Sequence, residues 1–508
     1  MRSPFAPFVA LCAISCATEH RQFTNEMAQS ATSYLARAAG EPVGWQRWTR
    51  ATFSLAARLD RPILLYIGAE DCRGCAAMDR ETYASAEVGA VIDSLFVPVR
   101  VDRDERPDVA QRYGVAVEVL TGLRGYPLTV FLTPDGSAFF GGTYFPADDP
   151  VTGRGIKQIL PEVARSFRTH RDFIVRQAAL VRQLSLNRQT GAHGVLEPGA
   201  VAARVDRVRA ALAQAVDHRL ALGTVAYGQA AELALAAAAR SADPKDLRLA
   251  RALLDVLADS GDVLAAKGER DEPPMVVRAG MVRNLALGWG LIEERRYWEA
   301  ARRGLENLLA ERRLDEPNAV FADRAAYVIG AALEAATAIG DSAAERKGVA
   351  ALDTLLARSY VAGRGVRHGP GDSTETRSLL QDQVQVASAA MAAFRATGEP
   401  RYLQVAADLA AVLERDFADP LGGYFDASEA DRAVPGLVDR TQQVWDNLLP
   451  GANAWAARVL LQLAEATGEA GYRRRAEATM EAFAGLAPTD EVLASSYLTV
   501  AQAILATR

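Results

Sequence analysis

Cys72 and Cys75 are separated by two residues, Arg73 and Gly74, the spacing at which two thiols one helical turn apart can make and break a disulfide. At a helix N-terminus, unpaired N–H groups and a partial positive charge stabilise a thiolate, the species that attacks in exchange. The second thiol then resolves the mixed disulfide by attacking the sulfur of the first. On this reading Cys72 is the nucleophile and Cys75 the resolving cysteine, the alternatives being a structural disulfide or an inert pair of core thiols. Arg73 favours the thiolate whereas Glu70 and Asp71 oppose it, so these residue types leave the direction of the couple open.

The elements that must hold this pair are legible around it. Pro62 opens the run Ile63-Leu64-Leu65-Tyr66-Ile67-Gly68, nearly continuous in apolar residues, as expected of a central strand buried on both faces. Reactive groups collect at the carboxyl ends of such strands, which is where Cys72 falls, and Ala76, Met78 and Tyr83 continue in helical register. A second strand is predicted at Phe96 to Val101 and a third at Leu128 to Leu132. Thr133-Pro134-Asp135-Gly136 then forms a turn into a strand through Ala138-Phe139-Phe140, because proline presets one dihedral and glycine supplies a positive φ. This order is that of a thioredoxin-like α/β fold. Such folds place a cis-proline opposite the C-x-x-C, where the preceding backbone can bond an extended substrate. Pro127, after Gly125-Tyr126, is positioned for that role, the alternative being a trans proline that starts an edge strand.

Beyond about Pro150 strand signals nearly vanish, and helices rich in Ala, Leu, Arg and Glu take over. Segments beginning at Glu294, Gly398 and Gly468 share a helix stop, a tyrosine and a new amphipathic helix, which is the signature of stacked helix pairs. Periodicity predicts roughly twelve helices from Gly199 onward. That number closes six hairpins into a ring, although an open solenoid has the same periodicity.

The 508 residues exceed one ordinary core, so two or more domains are expected. A net charge of -6 excludes a nucleic-acid binder, since phosphate neutralisation needs clustered bases. No cofactor or metal is expected. The mature chain has one cysteine pair, and the five histidines stand singly, short of the four ligands of structural zinc. The apolar run from Phe5 to Ile14, ending in Ala13-Ile14-Ser15-Cys16, resembles a lipoprotein signal in which Cys16 takes the lipid. The alternative is an apolar N-terminus on a cytoplasmic protein. The expected organisation is a signal peptide over 1–16, a linker over 17–44, a thioredoxin-like domain over 45–185 and an all-α domain over 199–508, to which a family resemblance adds closure into an (α/α)6 toroid.

The chain resembles the DUF255, or spermatogenesis-associated protein 20, family. The resemblance rests on Arg61-Pro62-Ile63, the Cys72 to Cys75 motif, Val101-Asp102-Arg103-Asp104-Glu105-Arg106-Pro107-Asp108, Leu120-Thr121-Gly122, Gly125-Tyr126-Pro127-Leu128 and Gly142-Thr143-Tyr144-Phe145-Pro146. Leu380-Gln381-Asp382-Gln383, Gly422-Gly423-Tyr424-Phe425 and the segment Asp446 to Asn453 extend it into the helical half. Where the family has His and Trp beside its cysteines, this chain has Arg73, Gly74 and Ala76. The resemblance implies a thioredoxin-like domain followed by a toroid of the six-hairpin glycosidase class.

In a ring of helices the inner helix ends face a central funnel. Asp323, Tyr327, Asp382, Tyr424, Trp445, Asp446 and Asn453 lie near predicted helix starts and are the candidate funnel residues. Asp382 and Asp446 are the one pair nominated for the two carboxyls of glycoside hydrolysis, although N-caps and core aromatics account for the same residue types. The expected function is thiol–disulfide exchange beside a toroid that holds a protein or glycan partner, with membrane contact only through a lipid anchor and location on the extracytoplasmic side. The competing reading is a carbohydrate-binding or carbohydrate-processing toroid with a redox-inactive thioredoxin domain.

Overall fold

The computed structural model describes residues 23–148, 151, 153–217, 224–241, 243–259, 275–310, 321–369, 378–428, 439–486 and 490–507. Cys16 and the leader-like segment lie outside them. Among the described residues, no helix is long and apolar enough to cross a membrane.

The N-terminal domain is built on a four-stranded sheet of β1 (Ile63–Gly68), β2 (Val97–Asp102), β3 (Leu128–Leu132) and β4 (Ala138–Gly142) in the order β2-β1-β3-β4. The β1–β2 pair is parallel, while β1–β3 and β3–β4 are antiparallel. Every residue of β1 is buried, in keeping with its unbroken apolar run. Its alternate residues serve two cores. Leu64 and Tyr66 pack with Phe96, Leu160 and Phe167, whereas Ile63, Leu65 and Ile67 pack with Val109, Tyr113 and Val181. The first face is covered by α4 (Ala86–Leu95), through Val88 and Ile92, and by α6 (Ile156–Thr169), and the second by α2 (Arg50–Leu59), through Phe53 and Ala56, and by α5 (Pro107–Thr121) and α7 (Arg171–Asn187). A short α1 (Ser33–Arg37) precedes them, and α3 (Arg73–Met78) carries the cysteines.

The linker expected over 17–44 is corrected from residue 23 onward, where the chain is part of this domain. The reason lies in β2, where a buried arginine sits in the middle of a mostly apolar strand. Arg100 has its guanidinium over the rings of Tyr34, Trp45 and Tyr66 and pairs with Glu41 at 2.9 Å and Asp79 at 2.8 Å. A buried cation must be paired, and the segment once read as a linker provides Tyr34 and Glu41. Just after it, Gln46 covers the outer edge of β2, its N–H donating to Pro98 O and its carbonyl accepting the Arg100 N–H. An edge strand left open would invite pairing with other chains.

From Pro198 the chain forms twelve α-helices among the described residues. Counting on, these are α8 (Pro198–Asp217), α9 (Val225–Arg240), α10 (Pro244–Asp259), α11 (Met275–Ile292), α12 (Arg295–Ala310), α13 (Ala322–Ile339), α14 (Ser342–Ser359), α15 (Leu380–Thr397), α16 (Pro400–Val412), α17 (Ala452–Thr467), α18 (Ala470–Glu481) and α19 (Ser495–Leu505). The odd-numbered helices α9 to α19 pack each on the next, and α19 packs back on α9. The ring is closed, and the open solenoid is excluded. Each inner helix has an even-numbered helix outside it, with α8 completing the hairpin of α19. Inner helices read as apolar nearly all round because both sides are covered; in α13 only Arg324 and Glu334 are partly exposed, and Thr337 and Ala338 in the last turn are open to solvent.

Helices α13, α15 and α17 end on Gly340, Gly398 and Gly468 at φ 72, 70 and 75°, conformations that glycine adopts without a Cβ penalty. The turns at Gly398 and Gly468 are two of the repeats legible in the sequence, and all three lie at one end of the ring. The thioredoxin-like domain sits on the other.

Candidate functional site

Cys72 is the residue that caps α3. Its extended backbone breaks from the helix, and the Cys75 N–H donates to Cys72 Sγ at 3.1 Å. A thiolate on Cys72 would receive the same N–H. The two sulfurs form a disulfide with the Cα atoms 5.2 Å apart. Cys75 is fully buried and Cys72 half-buried, so a partner sulfur reaches Cys72 first. The Tyr66 hydroxyl donates to Cys75 O at 3.3 Å and supports the pair from below.

Gly68, the last residue of β1, lies under the motif. A Cβ there would stand 3.3 Å from Cys75 Cβ and overlap the Tyr34 hydroxyl. Gly68→Ala should therefore displace a buried tyrosine or the disulfide. A loss of roughly 1–3 kcal/mol is expected from overpacking, measured by urea unfolding.

The Tyr126–Pro127 bond is cis, and Pro127 faces the motif. A Cβ on Gly74 would meet Pro127 Cδ at 3.1 Å and Tyr126 O at 3.3 Å, so the third residue of the C-x-x-C lies directly against the proline. Glycine at position 74 permits this approach.

The acidic neighbours of Cys72 are both matched by cations. Arg37 pairs with Glu70 at 2.8 Å, and Arg103 reaches Asp71 at 2.6 Å. The ambiguity between Arg73 and the two acids is thereby reduced, since each acid already faces a guanidinium. Arg103 also donates from Nε to Asp104 Oδ1 at 2.8 Å and lies over the Tyr126 ring at 5.1 Å. It thus ties the Cys72 loop to the proline loop. At the end of β2, Asp102 accepts the Asp104 N–H at 2.8 Å. Burial, then the Asp104 carboxylate, pushes Asp102 up, to about 7.

This loop also enters the toroid. Arg324, in the first turn of α13, pairs with the Asp104 carboxylate, and His368 Nε2 lies 2.9 Å from Asp104 O. His368 Nδ1 is 2.8 Å from Asp382 Oδ1, and the ring stacks on Phe321 at 4.6 Å. Both ring nitrogens face acceptors, so both donate and the imidazole is cationic. Burial alone would push it down. The Asp382 and Asp323 carboxylates outweigh burial and hold it up, at about 10. For Asp104 burial acts upward, and Arg324 and Arg103 overcome it to hold the carboxyl at about 2.

The expected funnel residues fall into separate groups. Asp323 and Asp382 meet beneath the thioredoxin-like domain, where the Asp323 N–H donates to Asp382 Oδ1 at 3.1 Å. Tyr327 lies deeper, its ring 5.7 Å from that of Trp455. Asn453 staples a loop to α17, accepting the Tyr424 N–H at 2.7 Å and donating to Tyr424 O at 2.9 Å. Trp445 stands edge-on to Tyr497 at 5.9 Å. Asp446 accepts the Gly451 and Ser496 N–H groups, both at 2.9 Å, and burial pushes it up, to about 7. Asp382 is 0% and Asp446 1% exposed, so neither faces solvent as a carboxyl flanking a glycosidic bond would.

Asp323, His368 and Asp382 place ligand-type atoms within 4.8 Å of one another. Both His368 nitrogens are committed to hydrogen bonds, and Asp323 accepts the Arg324 N–H at 2.7 Å, so the cluster is a hydrogen-bonded ion network. His368, one of the histidines that stand singly in the sequence, is 5% exposed and enclosed at this seam. Sequence reasoning passed over Arg103 and Arg324. The run of charges from Asp102 to Asp108 was the available signal.

Residues 24–185 match the family described as "Protein of unknown function, DUF255". Human spermatogenesis-associated protein 20 is 32% identical over 164 residues, which are 32% of this chain and 21% of that protein. The Caenorhabditis elegans "Uncharacterized protein B0495.5" is 31% identical over 175 residues, 34% of this chain and 24% of its own length. The matched stretch thus spans less than a quarter of these relatives. Among solved structures, an unsaturated glucuronyl hydrolase specific for heparin has a TM-score of 0.48 at 10% identity, covering 60% of this chain and 97% of its own. The unsaturated glucuronyl hydrolase of Bacillus sp. GL1 has 0.43 at 13%, covering 56% and 85%.

Proposed function

Residues 24–185 of this chain belong to the DUF255 family, and from that membership together with the geometry of the cysteine pair we propose that the protein is a thiol–disulfide oxidoreductase acting on a protein partner. In the reducing direction the Cys72 thiolate attacks a substrate disulfide. A Cys72–substrate bond forms and the other substrate sulfur leaves as thiolate. Cys75, losing its proton, then attacks Cys72 Sγ, which releases the second substrate thiolate and leaves the Cys72–Cys75 disulfide. The reverse sequence oxidises a dithiol. Asp102, beside Gly68 at the end of the paired strands, is a carboxyl suited to accept the Cys75 proton near neutral pH.

The observation that carries this reading is the half-buried Cys72 and buried Cys75 facing Pro127 across Gly74. Pro127 and the backbone before it are suited to an extended segment of the partner, and the toroid to holding the Cys72 loop in place through Asp104. We place the reaction on the extracytoplasmic side, with lipidated Cys16 as the anchor. Insulin reduction by dithiothreitol tests the reading. Wild type should accelerate precipitation of the insulin chains and Cys72→Ser should not; equal rates for both would overturn the assignment of Cys72.

A further inference from the structure

The ring is hollowed at the end carrying the tight turns, away from the cysteines. Between the later turns of α9, α11, α13 and α15, with α17 alongside, lies a cavity of about 450 Å³, within the roughly 300–1,000 Å³ of small-molecule sites. Leu235, Leu287 and Leu291 form an apolar wall, while Glu232, Glu334, Arg395 and Arg458 bring charge to it. Beneath them lies Arg283, 1% exposed, pairing with Glu232 and facing the rings of Tyr327 and Trp455 at 5.7 Å each.

The charges here do not balance. Arg283, Arg395 and Arg458 face two carboxylates, Glu232 and Glu334. Arg458 Nη1 binds Glu232 at 2.6 Å, and Arg395 binds Glu334 at 2.9 Å. Arg458 Nη2 is then left 3.5 Å from Glu334 and Arg283 Nη1 3.7 Å from it, at and beyond the limit of a hydrogen bond. Arg283 Nε and Nη1 have no hydrogen-bond partner. A buried guanidinium with free N–H groups calls for one more acceptor.

We propose that this cavity binds a small monocarboxylate with an apolar body. Its carboxylate accepts from Arg458 Nη2 at the cavity wall and supplies the missing negative charge above the buried Arg283, and its chain lies along Leu235, Leu287 and Leu291 toward the mouth. This site is independent of the cysteine pair, so either can fail without the other.

Titration calorimetry of the full chain with sodium octanoate tests it, with octanol and acetate as separate arms. Octanoate should bind at one site, while octanol, lacking the charge, and acetate, lacking the body, should each bind about tenfold or more weakly. Leu287→Trp fills the cavity from its partly exposed rim, and Arg395→Gln removes the excess charge from a residue whose side chain is 40% exposed. Both changes should weaken octanoate about tenfold, and circular dichroism checks that each variant is folded. Absence of saturable octanoate binding to wild type, equal affinity for octanol, or unchanged affinity in both folded variants would overturn the proposal.

Discussion

A Cys75→Ser chain mixed with a disulfide-bearing protein should accumulate a covalent adduct through Cys72, visible as a mass increase that dithiothreitol reverses. Cys72→Ser should form none and should lose exchange by about a thousandfold or more, the scale on which removal of a nucleophile acts. The asymmetry follows from burial. Cys75 is fully enclosed and cannot take the place of Cys72 toward an outside sulfur, whereas Cys72 without its partner can still attack but cannot be released. Adducts forming through Cys75 would reverse the roles assigned to the two residues.

The second large effect is expected at the seam between the domains. Replacing His368 by alanine leaves Asp382 buried at 0% exposure without its cation and Asp104 O without a donor. Breaking a buried pair on one side costs about 3–5 kcal/mol. Urea unfolding should register this loss, and proteolysis should find the connection after Asn187 cut faster. His368→Gln, which keeps one donor, should recover part of it. The interface also has a defined pH response. His368 has its folded value raised, to about 10, so its contribution is complete below its ordinary value near 6.5 and is lost as pH rises from there toward 10. Asp104 has its value lowered, to about 2, so its contribution is present above its ordinary value and is lost as pH falls through 2. Docking should therefore weaken at both alkaline and strongly acidic pH. Arg324→Ala, which removes the cation that most depresses Asp104, should move the acid limb upward.

The parts of this arrangement that were legible in the sequence are those set by local physics. The apolar run of β1 is a central strand because both faces of the sheet are covered. Thr133 to Gly136 is a turn with Gly136 at φ 86°. The Gly340, Gly398 and Gly468 stops mark the ends of inner helices, and the count of about twelve helices follows from such punctuation. Ring closure was not legible in the helical periodicity, which an open solenoid shares, and was expected only from the family resemblance, because it depends on α19 meeting α9 and α8 across the whole helical half.

What stayed hidden depends on charges that meet only after folding. The segment 17–44 reads as a linker, yet its residues Glu41 and Tyr34 surround Arg100 from 59 and 66 positions away. His368 stands 264 residues from Asp104, and Arg324 stands 220. A lone histidine and a helix-start arginine carry no local sign of such partners. Glu232 did leave a trace, as an acid within an Ala- and Leu-rich run, where a carboxylate has to find a cation inside the protein.

The central claim is that Cys72 and Cys75 form one reversible couple in the folded chain. Equilibrating the native protein in graded mixtures of reduced and oxidised dithiothreitol, then alkylating and weighing it, tests this most directly. Two alkyl groups should appear together, at Cys72 and Cys75, along a single two-electron curve. A pair that stays oxidised until the protein is denatured, or thiols that are labelled one at a time along separate curves, would contradict the claim.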